Sequence, residues 1–228
     1  MDEISNPEWA RMLTELGLSH DELPAETEDT RRDAFPTRRE APEQAEPAPA
    51  RNLMLILGGA RSGKSVYAER LAAASGQAVL YVATALAIDA EMQARIRRHQ
   101  ASRPAHWRTL EAPRAAGEAI PKEARPGEWV LVDCLTVLVA NVVLAAGDDV
   151  TLDEARPVVE AEVDGLLRAA RAHAGRVCVV SNEVGMGVVP PYPLGRVYRD
   201  LLGWANQRMA TAAGEVWFMV AGLPLKVK

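Results

Sequence analysis

Short apolar runs recur along the chain from residue 53 onward, and amphipathic stretches separate them. Five runs are apolar at nearly every position, as expected for strands that are buried on both faces of a sheet. These predicted strands are 53–57 (LMLIL), 79–84 (VLYVAT), 129–133 (WVLVD), 176–181 (RVCVVS) and 215–220 (EVWFMV). Strands of this kind that alternate with helices indicate a parallel sheet covered on both sides.

Helical periodicity fills most of the intervals between these runs. The predicted helices are 64–75, 88–99, 135–145, 152–173 and 193–213. No internal repeat is visible. The pattern therefore predicts one α/β domain over residues 51–228, built on a doubly wound, mostly parallel sheet.

The first 50 residues have a different composition. Residues 24–50 are rich in Pro, Ala and charged residues and poor in large apolar ones. Such a segment cannot bury enough surface to offset its ordering entropy, so we predict disorder. Upstream, Trp9, Met12, Leu13 and Leu16 share one helical face. This part is either a loose extension with transient helix or a docking segment for a partner, and residues 1–50 are predicted to be a disordered or weakly helical acidic extension.

The charge is divided between the same two regions. Residues 1–50 hold 13 acidic and 5 basic side chains, whereas the other 178 residues hold 18 acidic and 21 basic ones. A mildly basic domain suits a phosphate-bearing ligand and falls short of the footprint of a nucleic-acid-binding protein. No apolar run is long enough to span a membrane, and the acidic start is unlike a secretory signal. Cys134 and Cys178 lie in or beside predicted strands, which favours free thiols in a reducing cytoplasm.

A glycine-rich loop joins the first predicted strand to the first predicted helix. Its sequence, GGARSGKS, fits the phosphate-loop pattern G-x-x-x-x-G-K-[ST] in the strand–loop–helix context that the pattern requires. The glycines let backbone N–H groups surround a phosphate at a helix N-terminus. Lys64 supplies a cation for the β and γ phosphates, and the Ser65 hydroxyl is a ligand for Mg²⁺. The predicted nucleotide-binding residues are Gly58, Gly59, Ala60, Arg61, Ser62, Gly63, Lys64 and Ser65.

A phosphate loop also needs a carboxylate near the magnesium ion, at the end of a neighbouring strand. Asp133 closes the run WVLVD and suits that role. The alternative, which does not exclude the first, is that Asp133 caps the helix that begins at Leu135. Ser65 and Asp133 are therefore the predicted metal ligands.

One histidine lies in a basic segment, DAEMQARIRRHQ (89–100). Arg95 and His99 are four residues apart and share a helical face, and Arg97, Arg98 and Arg103 are close in sequence. Nearby cations disfavour protonation of an imidazole, and a neutral imidazole can attack phosphorus. From these residues alone, His99 is either a surface histidine on a solvated helix or a nucleophile.

Two further segments carry polar residues with open interpretations. The segment 181–187 (SNEVGMG) follows a predicted strand, where ligands bind in open α/β sheets, so it is either a site loop or an ordinary connection. The helix at 193–213 gathers Arg, Asp, Asn and Gln on one face, which suits contact with a substrate or another subunit as well as a solvated surface.

Seven segments together resemble the bifunctional adenosylcobinamide kinase / adenosylcobinamide-phosphate guanylyltransferase family of cobalamin biosynthesis. They are GGARSGKS (58–65), LYVATA (80–85), DAEMQARIRRHQASRPAHWRTLE (89–111), LVDCLT (131–136), SNEVGMGVVP (181–190), RVYRDLLGWANQRMA (196–210) and VAGLPLKVK (220–228). They follow the family order and span nearly all of residues 53–228. The sequence departs from the family in PPYPLGRVYRD after Val189, which puts substrate detail in doubt.

The resemblance implies two reactions. ATP or GTP phosphorylates adenosylcobinamide, and GTP then transfers GMP through a covalent intermediate on His99 to adenosylcobinamide phosphate, giving adenosylcobinamide-GDP. Besides Gly58–Ser65, the implied GTP contacts are Ala83, Thr84, Ala85, Gln100, Ala101, Ser102, Arg103, Glu111 and Asp133. The family also suggests a homo-oligomer, with a trimer suspected. A single-activity kinase for another small alcohol and a nucleotide-binding switch are the alternatives.

The composition break near residue 50 leads to a first prediction. Deletion of residues 1–50 should leave catalysis nearly intact, because none of the motifs lies in them. The measurement is the steady-state rate of cobinamide phosphorylation by the truncated protein. A folded truncated protein whose rate is lower by about 100-fold, roughly 2.7 kcal/mol of activation free energy, would contradict this view of the extension.

Overall fold

The computed structural model describes residues 49–86, 93, 97, 100, 101 and 103–228, and a seven-stranded sheet lies at the centre of this part. The strands are β1 (Ala50–Gly58), β2 (Val79–Ala83), β3 (Arg108–Glu111), β4 (Trp129–Asp133), β5 (Val177–Asn182), β6 (Ala213–Val220) and β7 (Leu223–Lys226). Their order across the sheet is β3-β2-β4-β5-β1-β6-β7. Neighbouring strands are parallel except β6 and β7, which form an antiparallel pair.

Five helices cover the sheet. They are α1 (Lys64–Ala74), α2 (Ala116–Glu123), α3 (Leu135–Ala146), α4 (Leu152–Ala172) and α5 (Pro193–Ala212). Alternate strand residues face two separate cores: Leu53 and Leu55 pack with α2 to α5, whereas Met54 and Ile56 pack with α1. Helices thus lie on both faces of a mostly parallel sheet, which confirms the predicted doubly wound α/β fold. None of the described helices combines the length and apolar character that crossing a membrane requires.

All five predicted strands are present, and four of the five predicted helices begin at the predicted residue. The remaining prediction, a helix over 88–99, falls mostly outside the described residues. Within it only Gln93 and Arg97 are described, and both are helical and exposed.

Three elements were not predicted. Strands β3 and β7 have four residues each and lie at the two edges of the sheet. Because they are short, neither contains the long apolar run by which the other strands were predicted. Helix α2 contains Gly117 and Pro121, residue types that normally argue against a helix. These elements depend on their neighbours in the fold rather than on local preference.

Strand β1 begins three residues before the predicted run. Ala50 is buried and pairs with Ala213 of β6. A truncation that spares this pair should therefore end at residue 48. The predicted extension lies outside the described residues up to that point, and its boundary with the domain stays a prediction.

Both cysteines are free thiols, as expected. Burial raises the pKa of Cys134 to about 11, and it raises the pKa of the fully buried Cys178 as well. Both groups therefore stay protonated near neutral pH, so neither is suited to act as a nucleophile.

The packing of α2 against α4 requires glycine. A β-carbon added to Gly117 would lie 2.1 Å from the carbonyl carbon of Gly165 and 2.4 Å from the amide nitrogen of Leu166. Backbone atoms of α4 cannot move aside as a flexible side chain could. This close approach explains why α2 tolerates a poor helix former.

The Gly117→Ala variant should therefore lower the free energy of unfolding by about 2–4 kcal/mol, because the new methyl group overpacks a backbone contact. Gly203→Ala on α5 is the matched control, since a β-carbon there meets nothing within 4 Å. That change should raise stability by roughly 0.5–1 kcal/mol through the better helix propensity of Ala. Urea unfolding measures both, and equal effects of the two substitutions would contradict the packing argument.

Candidate active site

The phosphate loop follows β1 and its backbone conformation depends on glycine. Gly58 has φ +153°, and a β-carbon there would lie 2.6 Å from the Met219 carbonyl oxygen. Gly63 has φ +93° and forms the N-cap of α1. The turn between β6 and β7 supports the loop, because the Gly222 amide donates to the Ser62 carbonyl oxygen at 3.0 Å.

The N-terminus of α1 is prepared for an anion. No described side chain caps it, and its first turn carries no acidic residue. Its N–H groups and the positive end of its dipole are therefore available to a phosphate. The Lys64 ammonium donates to the Gly59 carbonyl oxygen at 2.6 Å and is largely buried, and this burial lowers the pKa of Lys64.

Three predicted residues end neighbouring strands at the same level. Ala83 of β2 is in register with Glu111 of β3 on one side and with Asp133 of β4 on the other. Gly58, the first residue of the phosphate loop, is in register with Asn182 of β5. The structure thus brings the strand-end residues and the phosphate loop to one edge of the sheet, where α/β proteins bind ligands.

Asp133 accepts a hydrogen bond at this edge. The Tyr81 hydroxyl donates a hydrogen bond to Oδ2 of Asp133, with 2.7 Å between the two oxygen atoms, and Tyr81 itself is buried. The alternative role for Asp133 as a helix cap is wrong, because Cys134 is the N-cap of α3 and has no side-chain capping bond. The Asp133 side chain is therefore oriented by Tyr81 and not by the helix that follows it.

Hydrogen bonds of the Thr84 side chain connect the ends of β2 and β4. Its hydroxyl donates to the Cys134 carbonyl oxygen and accepts from the Cys134 amide, both at 2.8 Å. The Asn141 side chain donates to the Thr84 carbonyl oxygen at 2.8 Å. The Thr84 side chain is fully buried, whereas Ala85 beside it is partly exposed.

Arg103 lies flat against an aromatic ring. Its guanidinium carbon is 3.3 Å from the centre of the Tyr81 ring. Its Nε and Nη1 atoms are buried and have no hydrogen-bond partner among the described residues, and the same is true of Oε1 of Glu69 on α1. Burial, followed by the nearby charge of Asp133, raises the pKa of Glu69.

Sequence reasoning missed Tyr81 and Glu69. Tyr81 is one of two residues with a hydroxyl in the run 79–84, together with Thr84, and its place inside a buried strand made it read as an apolar member. Glu69 lies four residues after Ser65, so both share a face of α1. That spacing was the available signal.

The segment after β5 is attached to the phosphate loop. The Glu183 amide donates to the Gly58 carbonyl oxygen at 3.0 Å. The Glu183 carboxylate accepts from the amides of Gly185 and Met186 at 2.7 and 3.1 Å, which fixes the turn. The backbone amide of Asn182 donates to the Thr136 hydroxyl oxygen at 2.6 Å. These contacts attach the segment to the phosphate loop, and its role as a site loop stays a prediction.

The polar face of α5 is used mainly within the molecule. Arg196 donates to the carbonyl oxygens of Pro190 and Pro191 at 3.1 and 2.9 Å, and Asn206 donates to that of Asn182 at 2.9 Å. Arg208 pairs with Asp164 of α4 at 2.7 Å. Arg196 and Asn206 thus connect α5 to the end of β5 and the segment after it, and Arg208 connects α5 to α4.

The other predicted residues are described only in part. His99 and Ser102 lie outside the described residues. Gln100 and Ala101 are helical and exposed, and Glu111 is exposed at the end of β3. The site that the structure describes is therefore the phosphate loop, the ends of β2 to β5, and Arg103.

Comparisons with known proteins agree with this geometry. Residues 54–227 match the family described as cobinamide kinase / cobinamide phosphate guanyltransferase. The bifunctional adenosylcobalamin biosynthesis protein CobP of Pseudomonas aeruginosa is 51% identical over 174 residues, which cover 76% of this chain and 96% of that protein. The CobU protein of Escherichia coli is 43% identical over 181 residues, covering 77% and 99%.

Among solved structures, the RadB recombinase aligns with 75% of this chain and 74% of its own, with a TM-score of 0.41 and 18% identity. The family match spans the strands, the phosphate loop and the strand-end residues described above. The chain therefore belongs to the cobinamide kinase / cobinamide phosphate guanyltransferase family.

Proposed function

We propose that this chain phosphorylates adenosylcobinamide with ATP or GTP and then transfers GMP from GTP to adenosylcobinamide phosphate, giving adenosylcobinamide-GDP and pyrophosphate. One observation carries the proposal: Lys64 and the open N-terminus of α1 share one sheet edge with Asp133, Ala83 and Glu111. Membership of the family, whose description includes both activities, supports the same conclusion.

In the kinase step the protein positions two reactants and stabilises charge. The backbone N–H groups of the phosphate loop and the Lys64 ammonium hold the triphosphate, and the substrate hydroxyl attacks the γ-phosphorus. Lys64 is buried, so its charge acts in surroundings of lower dielectric constant than water. The lowered pKa of Lys64 is consistent with a cation that lacks its full hydration and gains most from an anionic partner.

The residues present fit a magnesium ion. We propose the Ser65 hydroxyl and the Asp133 carboxylate as its protein ligands, since Mg²⁺ is usually bound by one or two carboxylates together with substrate phosphates and water. When bound, the ion neutralises phosphate charge. Tyr81 meanwhile holds one oxygen of Asp133 and leaves the other free.

In the guanylyl-transfer step we propose His99 as the nucleophile. An imidazole nitrogen attacks the α-phosphorus of GTP, a P–N bond forms, and pyrophosphate leaves as the P–O bond breaks. An oxygen of the cobinamide phosphate then attacks the same phosphorus and displaces the histidine.

The remaining nucleotide contacts, Ala83–Ala85 and Gln100–Arg103, are proposed from the family resemblance, with Arg103 supported by its unpaired buried nitrogens. A homo-oligomer, as a trimer, is proposed from the same resemblance, and light scattering of the purified protein tests it.

We place the enzyme in the cytoplasm because both cysteines are free.

Lys64→Ala should lower the rates of both half-reactions by at least about 100-fold, because both need the triphosphate held against this ammonium. The matched control is Lys122→Ala, which removes an exposed lysine from α2 and should leave both rates unchanged. The measurements are steady-state cobinamide phosphorylation and GMP transfer. Near-normal phosphorylation by Lys64→Ala would count decisively against this site.

His99→Ala should separate the two activities. A phosphoramidate is labile to acid and stable to base, so wild-type protein given α-labelled GTP and Mg²⁺ should retain label that acid releases and alkali does not. His99→Ala should retain none and lose GMP transfer, whereas phosphorylation should survive in part because direct transfer needs no covalent relay.

His106→Ala, at an exposed histidine nearby, is the control and should label as the wild type does. Loss of label in that variant instead would move the nucleophile to His106. A wild-type protein that phosphorylates cobinamide but never labels would favour the single-activity kinase.

A further inference from the structure

The guanidinium group of Arg103 is held in an unusual way. Two of its nitrogens, Nε and Nη1, are buried and have no hydrogen-bond partner within the described part of the chain. A buried donor without a partner is unfavourable, and native structures seldom keep one without a functional reason. Within the described part of the chain, therefore, no hydrogen bond from Nε or Nη1 fixes this side chain.

The Tyr81 ring supplies a contact of another kind. The guanidinium carbon lies over the face of the ring, 3.3 Å from its centre. Stacking attracts the cation through the π-electrons of the ring and uses no N–H group. The in-plane donors of Arg103 stay available, and paired guanidinium donors match two oxygens of a phosphate group.

The hydroxyl end of Tyr81 makes a second contact. It donates to Oδ2 of Asp133 at 2.7 Å, and the ring is buried in the core formed with Met54, Ile56 and Leu131. Tyr81 cannot therefore shift freely in the sheet. One rigid side chain contacts both the strand-end carboxylate and the arginine that follows His99 by four residues.

We infer that Tyr81 is a positioning residue for guanylyl transfer: its ring face holds Arg103, and Arg103 directs its free donors at the α-phosphate while anchoring the chain next to His99. The hydroxyl of the same side chain orients Asp133. The ring thus acts on guanylyl transfer through Arg103, whereas the hydroxyl acts on both half-reactions through Asp133. This inference rests on the proposed covalent guanylylation of His99.

Three variants separate the two ends of Tyr81. Tyr81→Phe keeps the ring and loses the hydroxyl, Tyr81→Leu loses both, and Arg103→Lys keeps the charge but loses the planar group. The first-order rate of labelling by α-labelled GTP should fall at least about 10-fold in Tyr81→Leu and Arg103→Lys, because a stacking contact of this kind is lost. Tyr81→Phe keeps the stacking contact, so it should label at least about 10-fold faster than Tyr81→Leu.

Phosphorylation of cobinamide is the second readout. It should be equal within about 3-fold in Tyr81→Phe and Tyr81→Leu, since both lack the hydroxyl and differ only in the ring. Tyr67→Leu is the matched control: Tyr67 packs against Trp217, with ring centres 5.9 Å apart, on the same side of the sheet. It should label at the wild-type rate.

A double-mutant cycle decides between positioning and general damage. Adding Arg103→Lys to Tyr81→Leu should lower the labelling rate no further, because both changes remove one interaction. Three outcomes would overturn the inference. The double variant could label more slowly than either single variant, or Tyr81→Phe and Tyr81→Leu could label at equal rates. Alternatively, Tyr81→Leu could phosphorylate cobinamide much more slowly than Tyr81→Phe. If Tyr81→Leu fails to fold, the Arg103→Lys variant alone decides, because labelling of that variant at the wild-type rate would refute the inference. A wild-type protein that never labels would refute the covalent mechanism itself.

Discussion

The backbone register of the central parallel strands is the constraint on which the site depends. Ala83, Glu111 and Asp133 lie side by side because the hydrogen bonds of β2 with β3 and β4 align them, and Gly58 is aligned with Asn182 in the same way. A shift by one residue would turn every side chain of a strand to the opposite face. The apolar residues of these strands, buried against helices on both sides, fix that register. The chemistry at the edge is thus positioned by residues that take no part in it.

Polar groups at this edge fall into two kinds. The Thr84 hydroxyl and the Glu183 carboxylate make hydrogen bonds inside the protein, and these bonds join strand ends and fix turns. Lys64 is largely buried, and Nε and Nη1 of Arg103 are buried without a hydrogen-bond partner among the described residues. The first kind makes the edge rigid, so that the second kind does not need to reorganise when charge develops during phosphoryl or guanylyl transfer.

Keeping such groups buried is unfavourable for stability. Burial lowers the pKa of Lys64 and raises that of Glu69, which means that each charged form is less stable here than in water. Two large apolar clusters on the faces of the sheet offset this effect. Among the described residues, Glu69 and Arg103 hold buried polar atoms without a hydrogen-bond partner near Asp133, and such groups are typical of a functional site.

The sequence alone determined the five long strands, the helices that begin at residues 64, 135, 152 and 193, and the phosphate loop, because periodicity and glycine placement act over a few neighbouring residues. It also assigned Asp133 to the edge, since a polar residue that ends a buried strand must lie there. The short edge strands and α2 were decided by the tertiary structure: α2 forms because Gly117 lets it approach the backbone of α4. The stack of Arg103 on Tyr81 joins residues 22 positions apart, and only the folded chain brings them into contact. Local pattern specifies elements and loops, whereas contacts between distant residues depend on how the whole sheet assembles.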